Sequence, residues 1–210
     1  MVKRIKKVTK GKVTRERKRI IVVGTEGHNK TEVLYFRELE KKQNKYHCIF
    51  AQGNETDPVK IVRNTAKKAR NEELSFKEGD MAISVFDLDV AETKQEQLRE
   101  AKAEARKKNI GIVSSNPCFE VWYLEHFGYT SKPFASSNAV IKELEKKIPG
   151  YRKNVCDFDI LYPRTETAIA NCKRLDRYHM DNNEFDEFAN PRTDVYKVIQ
   201  TIISGGGEVK

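Results

Sequence analysis

A chain of 210 residues, 38% hydrophobic, is long enough to bury one substantial core. It has no apolar run near the roughly 20 residues that span a bilayer and opens without the apolar stretch of a signal peptide, so the sequence predicts a soluble, cytoplasmic protein with no membrane partner. Of its 40 Lys and Arg and 31 Asp and Glu, ten and one fall within residues 1–19, so residues 20–210 carry 30 of each and the basic charge belongs to a tail.

Residues 1–18 read as a basic flexible tail in which Lys10, Lys12, Arg15, Arg17 and Lys18 are candidate contacts to nucleic acid, DNA or RNA, through phosphate. A solvated arm with no specific partner is the competing reading. Ile20 to Val23 is four β-branched residues in succession, the pattern of a strand covered on both faces. From Thr31 the period changes: Val33, Tyr35, Phe36 and Leu39 form the apolar stripe of a helix, with Thr31 or Asn29 as its cap. A second strand is expected at Tyr46–Ala51. Asp57 followed by Pro58 marks the start of a second helix, because Asp accepts free N–H groups and Pro lacks the one that would go unpaired. A third strand at Met81–Phe86 leads to a helix over about Thr93–Lys108, and a fourth at Ile110–Val113 to a helix over Pro117–Phe127 with Asn116 or Ser115 as cap.

Short apolar strands alternating with helices require right-handed parallel crossovers, which predicts a Rossmann-like α/β core of about four parallel strands over residues 19–128. Residues 129–204 read as a mostly helical extension packed on that core, with helices over Asn138–Ile148, Thr165–His179 and Thr193–Ile203 and an edge strand at Val155–Leu161. Residues 205–210 should fray.

In open parallel sheets ligands sit outside the carboxyl ends of the strands, near a switch in strand order. Glu26 follows the first strand, and Asp87 and Asp89 end the third; in a continuing strand that spacing turns both aspartates to one side. Three carboxylates at one edge suit Mg²⁺, with Mn²⁺ as an alternative, since a hard cation prefers oxygen ligands. Such a metal polarises a phosphoryl group and activates water. Glu120, in the first turn of the helix after the fourth strand, is a further candidate carboxylate, and Lys30 a candidate for neutralising phosphate. A chance DxD, a capping glutamate and a solvated turn lysine are the structural alternatives.

Other chemistries fit less well. The four cysteines form no CxxC pair and the four histidines no HxH or HExxH pattern, which argues against a zinc enzyme. Cys118 has no nearby histidine to activate it. Gly24 to Thr31, GTEGHNKT, imitates a phosphate-binding P-loop but has Asn29 in place of the second glycine. The FDLDV stretch resembles the opening motif of haloacid-dehalogenase-type phosphatases, yet it lies on the third strand rather than the first.

Glu26-Gly27, Lys30-Thr31-Glu32, Tyr35-Phe36, Asp87-x-Asp89, the run Ser115 to Trp122 (SNPCFEVW) and Asn190 to Thr193 (NPRT) together resemble the RloB-like proteins, over roughly residues 20–200. That family looks like a branch of the Toprim superfamily. The resemblance implies a Toprim-like fold with a glutamate after the first strand and a DxD after the third, the placement reached above from the residues. It implies metal and acid/base roles for Glu26, Asp87 and Asp89, and a nuclease effector in anti-phage abortive infection working with an ABC-type ATPase. The expected function is therefore Mg²⁺-dependent cleavage of DNA or RNA, tRNA among the candidates, in a chain that could form homo-oligomers. The alternative is a non-catalytic module of the same fold that binds nucleic acid or the ATPase.

Overall fold

The computed structural model of the chain describes residues 17–27, 30–51, 53, 55–89, 94–183, 186 and 188–205. Five strands, β1 (Arg19–Gly24), β2 (Tyr46–Ala51), β3 (Met81–Asp87), β4 (Gly111–Asn116) and β5 (Arg192–Thr193), form one sheet in the order β2-β1-β3-β4-β5. The first four are mutually parallel and β5 runs antiparallel to β4. The helices are α1 (Thr31–Lys42), α2 (Pro58–Asn71), α3 (Lys94–Lys108), α4 (Glu120–Glu125), α5 (Ser137–Glu145), α6 (Phe158–Leu161), α7 (Thr165–Asp181) and α8 (Val195–Ser204). This is the Rossmann-like α/β class that the strand and helix alternation predicts.

From Ile21 to Val23 the β-branched run of β1 is buried on both faces, as a central parallel strand must be. Ile21 and Val23 enter a large cluster with Tyr35, Phe36 and Leu39 of α1, Val121 and Trp122 of α4 and residues of α5 to α8. Val22 points the other way, into a smaller cluster with Val62 and Ala69 of α2 and Ala101 and Ala105 of α3. Segments beyond residue 128 thus share the core of the α/β unit. Tyr35 is the hub of that shared core, with ring centroids 5.2 Å from Phe158, 5.7 Å from Tyr123, 6.0 Å from Phe119 and 6.2 Å from Trp122. It locks α1 to α4 and α6 and so sets where the first turns of α1 and α4 lie.

Several boundaries differ from the sequence-based expectations, each for a local reason. Val155–Leu161 is not an edge strand: the segment ends in α6, whose Phe158 and Leu161, one helical turn apart, both enter the core. The fifth strand is Arg192–Thr193, two residues that carry no periodic signal and pair because Asn116 and Ser115 lie beside them. The last helix therefore starts at Val195 rather than Thr193. The α5 cap is Ser136, which accepts the Ala139 N–H. Asp57 caps α2 as its sequence predicts, accepting from Val59 at 2.8 Å. At α1 the cap position is Lys30, without a side-chain bond, because the Thr31 hydroxyl is committed elsewhere; Asn29 lies outside the described residues. Likewise the expected helix start Thr93 lies outside them. No described helix is long and apolar enough to cross a membrane.

Candidate functional site

Strand order reverses at β1, whose neighbours are β2 on one side and β3 on the other. The crevice beyond the carboxyl ends of β1 and β3 is where this class of sheet accommodates ligands. Glu26 lies two residues past β1 and Asp87 is the last residue of β3. Asp87 is half-buried, and its Oδ1 accepts the Phe119 N–H at 2.8 Å, so a carboxylate from β3, rather than Asn116 or Ser115, secures the turn into α4. The Asn116 amide donates instead to the Phe188 and Ala189 carbonyls. Burial first, then the like charges of Glu32, Glu120 and Glu26, push the Asp87 carboxyl well above the usual carboxylate range, against the pull of Lys153.

The strand does not continue past Asp87. Leu88 turns into the core and donates its N–H to Ser115, and Asp89 adopts a left-handed φ of 50° with its N–H on the Pro117 carbonyl. Strand alternation therefore does not set the direction of the second aspartate. Asp89 is exposed and accepts a 2.9 Å hydrogen bond from the Ser137 hydroxyl at the start of α5.

Glu32, which enters the sequence reading only as part of the Lys30-Thr31-Glu32 element and with no role of its own, sits in the cluster. It is buried on the first turn of α1, and burial raises its carboxyl to about 7, with Glu120 and Glu26 adding to the rise and Lys30 opposing it. Its signal is present in the sequence: Glu32 precedes Tyr35, Phe36 and Leu39 by three, four and seven residues and so occupies the apolar stripe of α1. Lys30 itself is exposed at the same edge.

Glu120 is 1% exposed. Its Oε1 accepts from the Thr31 hydroxyl at 3.0 Å and the Tyr151 hydroxyl at 3.3 Å, while its Oε2 has no hydrogen-bond partner and lies 3.7 Å from the Lys153 ammonium. Thr31, the residue a P-loop would turn towards phosphate and Mg²⁺, is thus bonded to a carboxylate. Lys153 and Tyr151 come from the segment between α5 and α6, about 120 residues from Glu32, and no local pattern announces them. Cys118 is fully buried, and burial together with Glu120 and Asp87 pushes its thiol well up, the opposite of an activated nucleophile. The NPRT element supports the site from behind: Thr193 bonds Ser115 through their hydroxyls at 2.8 Å, and Asn190 brackets Phe134 by both its N–H and its carbonyl.

The structure thus brings Glu26, Asp87 and Glu120 into one electrostatic environment with Glu32, and Asp89 joins Asp87 and Glu120 in acting on Lys153. Among the described residues no three His, Cys, Asp or Glu are close enough to form a ready-made metal cage. The donors are all carboxylate, and one buried oxygen lacks a hydrogen bond. That fits an open Mg²⁺ site, in which one or two carboxylates are completed by water and substrate phosphate, better than a closed one. Of the basic-tail candidates, Lys10, Lys12 and Arg15 lie outside the described residues. Lys18 is exposed, and Arg17 pairs with the buried Asp80 at 2.7 Å and with Glu78 at 3.2 Å.

A family model described as RloB-like protein matches residues 21–202. No curated protein and no solved structure matches the chain.

Proposed function

On the premise that this chain belongs to the RloB-like family, we propose that it is a metal-dependent nuclease of the Toprim type. The observation that carries the reading is the convergence of Glu26, Glu32, Asp87 and Glu120 outside the carboxyl ends of β1 and β3, at the switch in strand order. Buried carboxylates set close together, one of them held well above its usual range by burial first and then by its neighbours, form an arrangement that a divalent cation relieves.

In this mechanism Asp87, Glu26 and Asp89 would hold Mg²⁺ or Mn²⁺. When bound there, such an ion would supply the Lewis acidity that polarises a phosphodiester and activates water. Glu32, which burial raises to about 7 in the metal-free cluster, would be the carboxylate that takes the proton from the attacking water. Glu120, held through Oε1 by Thr31 and Tyr151, keeps α1 and α4 in register across the site and leaves its Oε2 facing the cation. Lys30 faces the incoming phosphate, and the basic tail captures nucleic acid by counterion release. An ABC-type ATPase partner and a role in abortive phage defence belong to the same proposal.

The test incubates the purified protein and its Asp87→Ala/Asp89→Ala variant with plasmid, single-stranded DNA and total tRNA in Mg²⁺, Mn²⁺ or EDTA. Metal-dependent products from the wild type alone are expected, and they identify the substrate class. Products from the variant would remove the aspartates from the mechanism. Salt-sensitive binding in EDTA with no cleavage under any condition, also after addition of the ATPase, would point to a non-catalytic binding module.

A further inference from the structure

The segment joining α5 to α6 lays a cation across the carboxylate cluster. It is tied down on both sides of Lys153: the Tyr151 hydroxyl donates to Glu120 Oε1 at 3.3 Å, and the Asn154 N–H donates to the Thr31 hydroxyl oxygen at 3.3 Å. Between these two ties the Lys153 ammonium stands 3.7 Å from Glu120 Oε2, the buried oxygen without a hydrogen bond. The Glu120 side chain is 2% exposed and that of Lys153 43%, so the acid is fixed inside while its counter-ion reaches in from solvent. Asp87 and Asp89 also act on the same ammonium. At 3.7 Å the contact is one of charge rather than of a directed bond, and an ammonium on a four-carbon stem moves easily.

We propose that Lys153 is a displaceable resident cation: it neutralises the acid cluster while no metal is bound, and yields that place to a divalent cation, its ammonium then engaging the substrate phosphate. The inference rests on the metal-dependent reading above. Two cations cannot both hold the same few carboxylates without repelling each other, so lysine and metal compete for the cluster. A freed ammonium at the mouth of the site then meets the charge that arrives with the nucleic acid.

Mn²⁺ binding to the full chain, followed by electron paramagnetic resonance of free Mn²⁺, tests the competition without reference to cleavage. Lys153→Met should bind Mn²⁺ roughly tenfold more tightly than wild type, the scale of an ordinary coupling between sites, while Lys153→Arg stays close to wild type. In EDTA the Met variant should melt lower than wild type, and Mn²⁺ should restore it by a larger increment. With Ca²⁺ in place of Mg²⁺, it should bind a single-stranded oligonucleotide more weakly, with a salt slope smaller by about one. Lys153→Gln serves the same comparison if the Met variant does not fold. Equal or weaker Mn²⁺ affinity in the Met and Gln variants overturns the role of Lys153 and leaves the metal site standing. No Mn²⁺ binding by any form overturns the metal reading and this inference together.

Discussion

Glu125 and His126, adjacent at the end of α4, show how much a residue's neighbourhood changes its chemistry. Both are buried. Burial raises the Glu125 carboxyl to about 8, the Thr130 N–H opposing, and lowers His126 to about 4, its Nδ1 bonded to the Trp122 carbonyl at 2.8 Å. Between pH 6.5 and 8 the folded His126 is already neutral while the unfolded one loses its remaining proton, a contribution that wild type and a Glu125 variant share. Glu125 keeps its proton only when folded, so the native state binds more protons and stability falls as pH rises through that window. Glu125→Gln removes this contribution. Melting curves of wild type and variant should diverge from pH 6.5 to 8 with the variant the more stable at 8, and parallel curves would show that Glu125 is not held protonated. Glu32 makes the same point within the site. Its position in the apolar stripe of α1 is legible from spacing, but a glutamate there reads as a solvated residue until α4 and its Glu120 are seen against it.

At the scale of elements, the close approach of α2 to β1 decides the shape of the sheet edge on that side. A Cβ on Gly24 would lie 1.9 Å from the Thr65 hydroxyl oxygen. Thr65 is itself fully buried, donating to the Ile61 carbonyl at 2.8 Å and accepting from Ser84 of β3 at 3.0 Å. Gly24→Ala should therefore cost about 2 kcal/mol of stability by overpacking. Thr65→Ala, which makes room, should cost less in the Gly24→Ala background than in the wild type. Denaturant unfolding of the four proteins measures this, and strictly additive losses would mean that the helix simply moves away. The apolar runs of β1 to β4 and the Asp57-Pro58 start of α2 were legible because each is dictated by local chemistry. The two-residue β5 and the turn of α6 were not, since they exist only where β4 and the aromatic hub around Tyr35 receive them.

For the whole molecule, the charge asymmetry acquires a boundary. Arg17 belongs to the fold through Asp80, whose fully buried side chain also accepts the Ile20 N–H at 2.8 Å and the Ser75 N–H at 2.9 Å. Burial would raise the Asp80 carboxyl, but these N–H groups and Arg17 prevail and hold it below its usual value. Engaging Arg17 with phosphate would break these contacts, so under the proposed function capture of nucleic acid falls to the exposed Lys18 and to the tail candidates Lys10, Lys12 and Arg15, which lie outside the described residues. Deleting 1–16 should weaken nucleic-acid binding and reduce its salt slope by several while leaving the melting temperature unchanged. Deleting 1–18 should lower the melting temperature as well, because it strips the cation from Asp80. Unchanged affinity after the shorter deletion would make the arm a solvated one.

The sequence alone determined the class of fold, the parallel strands and the position of Glu26 and Asp87 at their carboxyl ends. Those features follow from side-chain periodicity and strand direction, which are local properties of the chain. Tertiary structure decided that Glu32 joins Glu120 at that edge, that Asp89 turns away from strand alternation, and that Lys153 reaches the cluster from the α5–α6 segment. The physical reason is that burial and like-charge crowding arise only when distant segments pack together, and no window of sequence contains them.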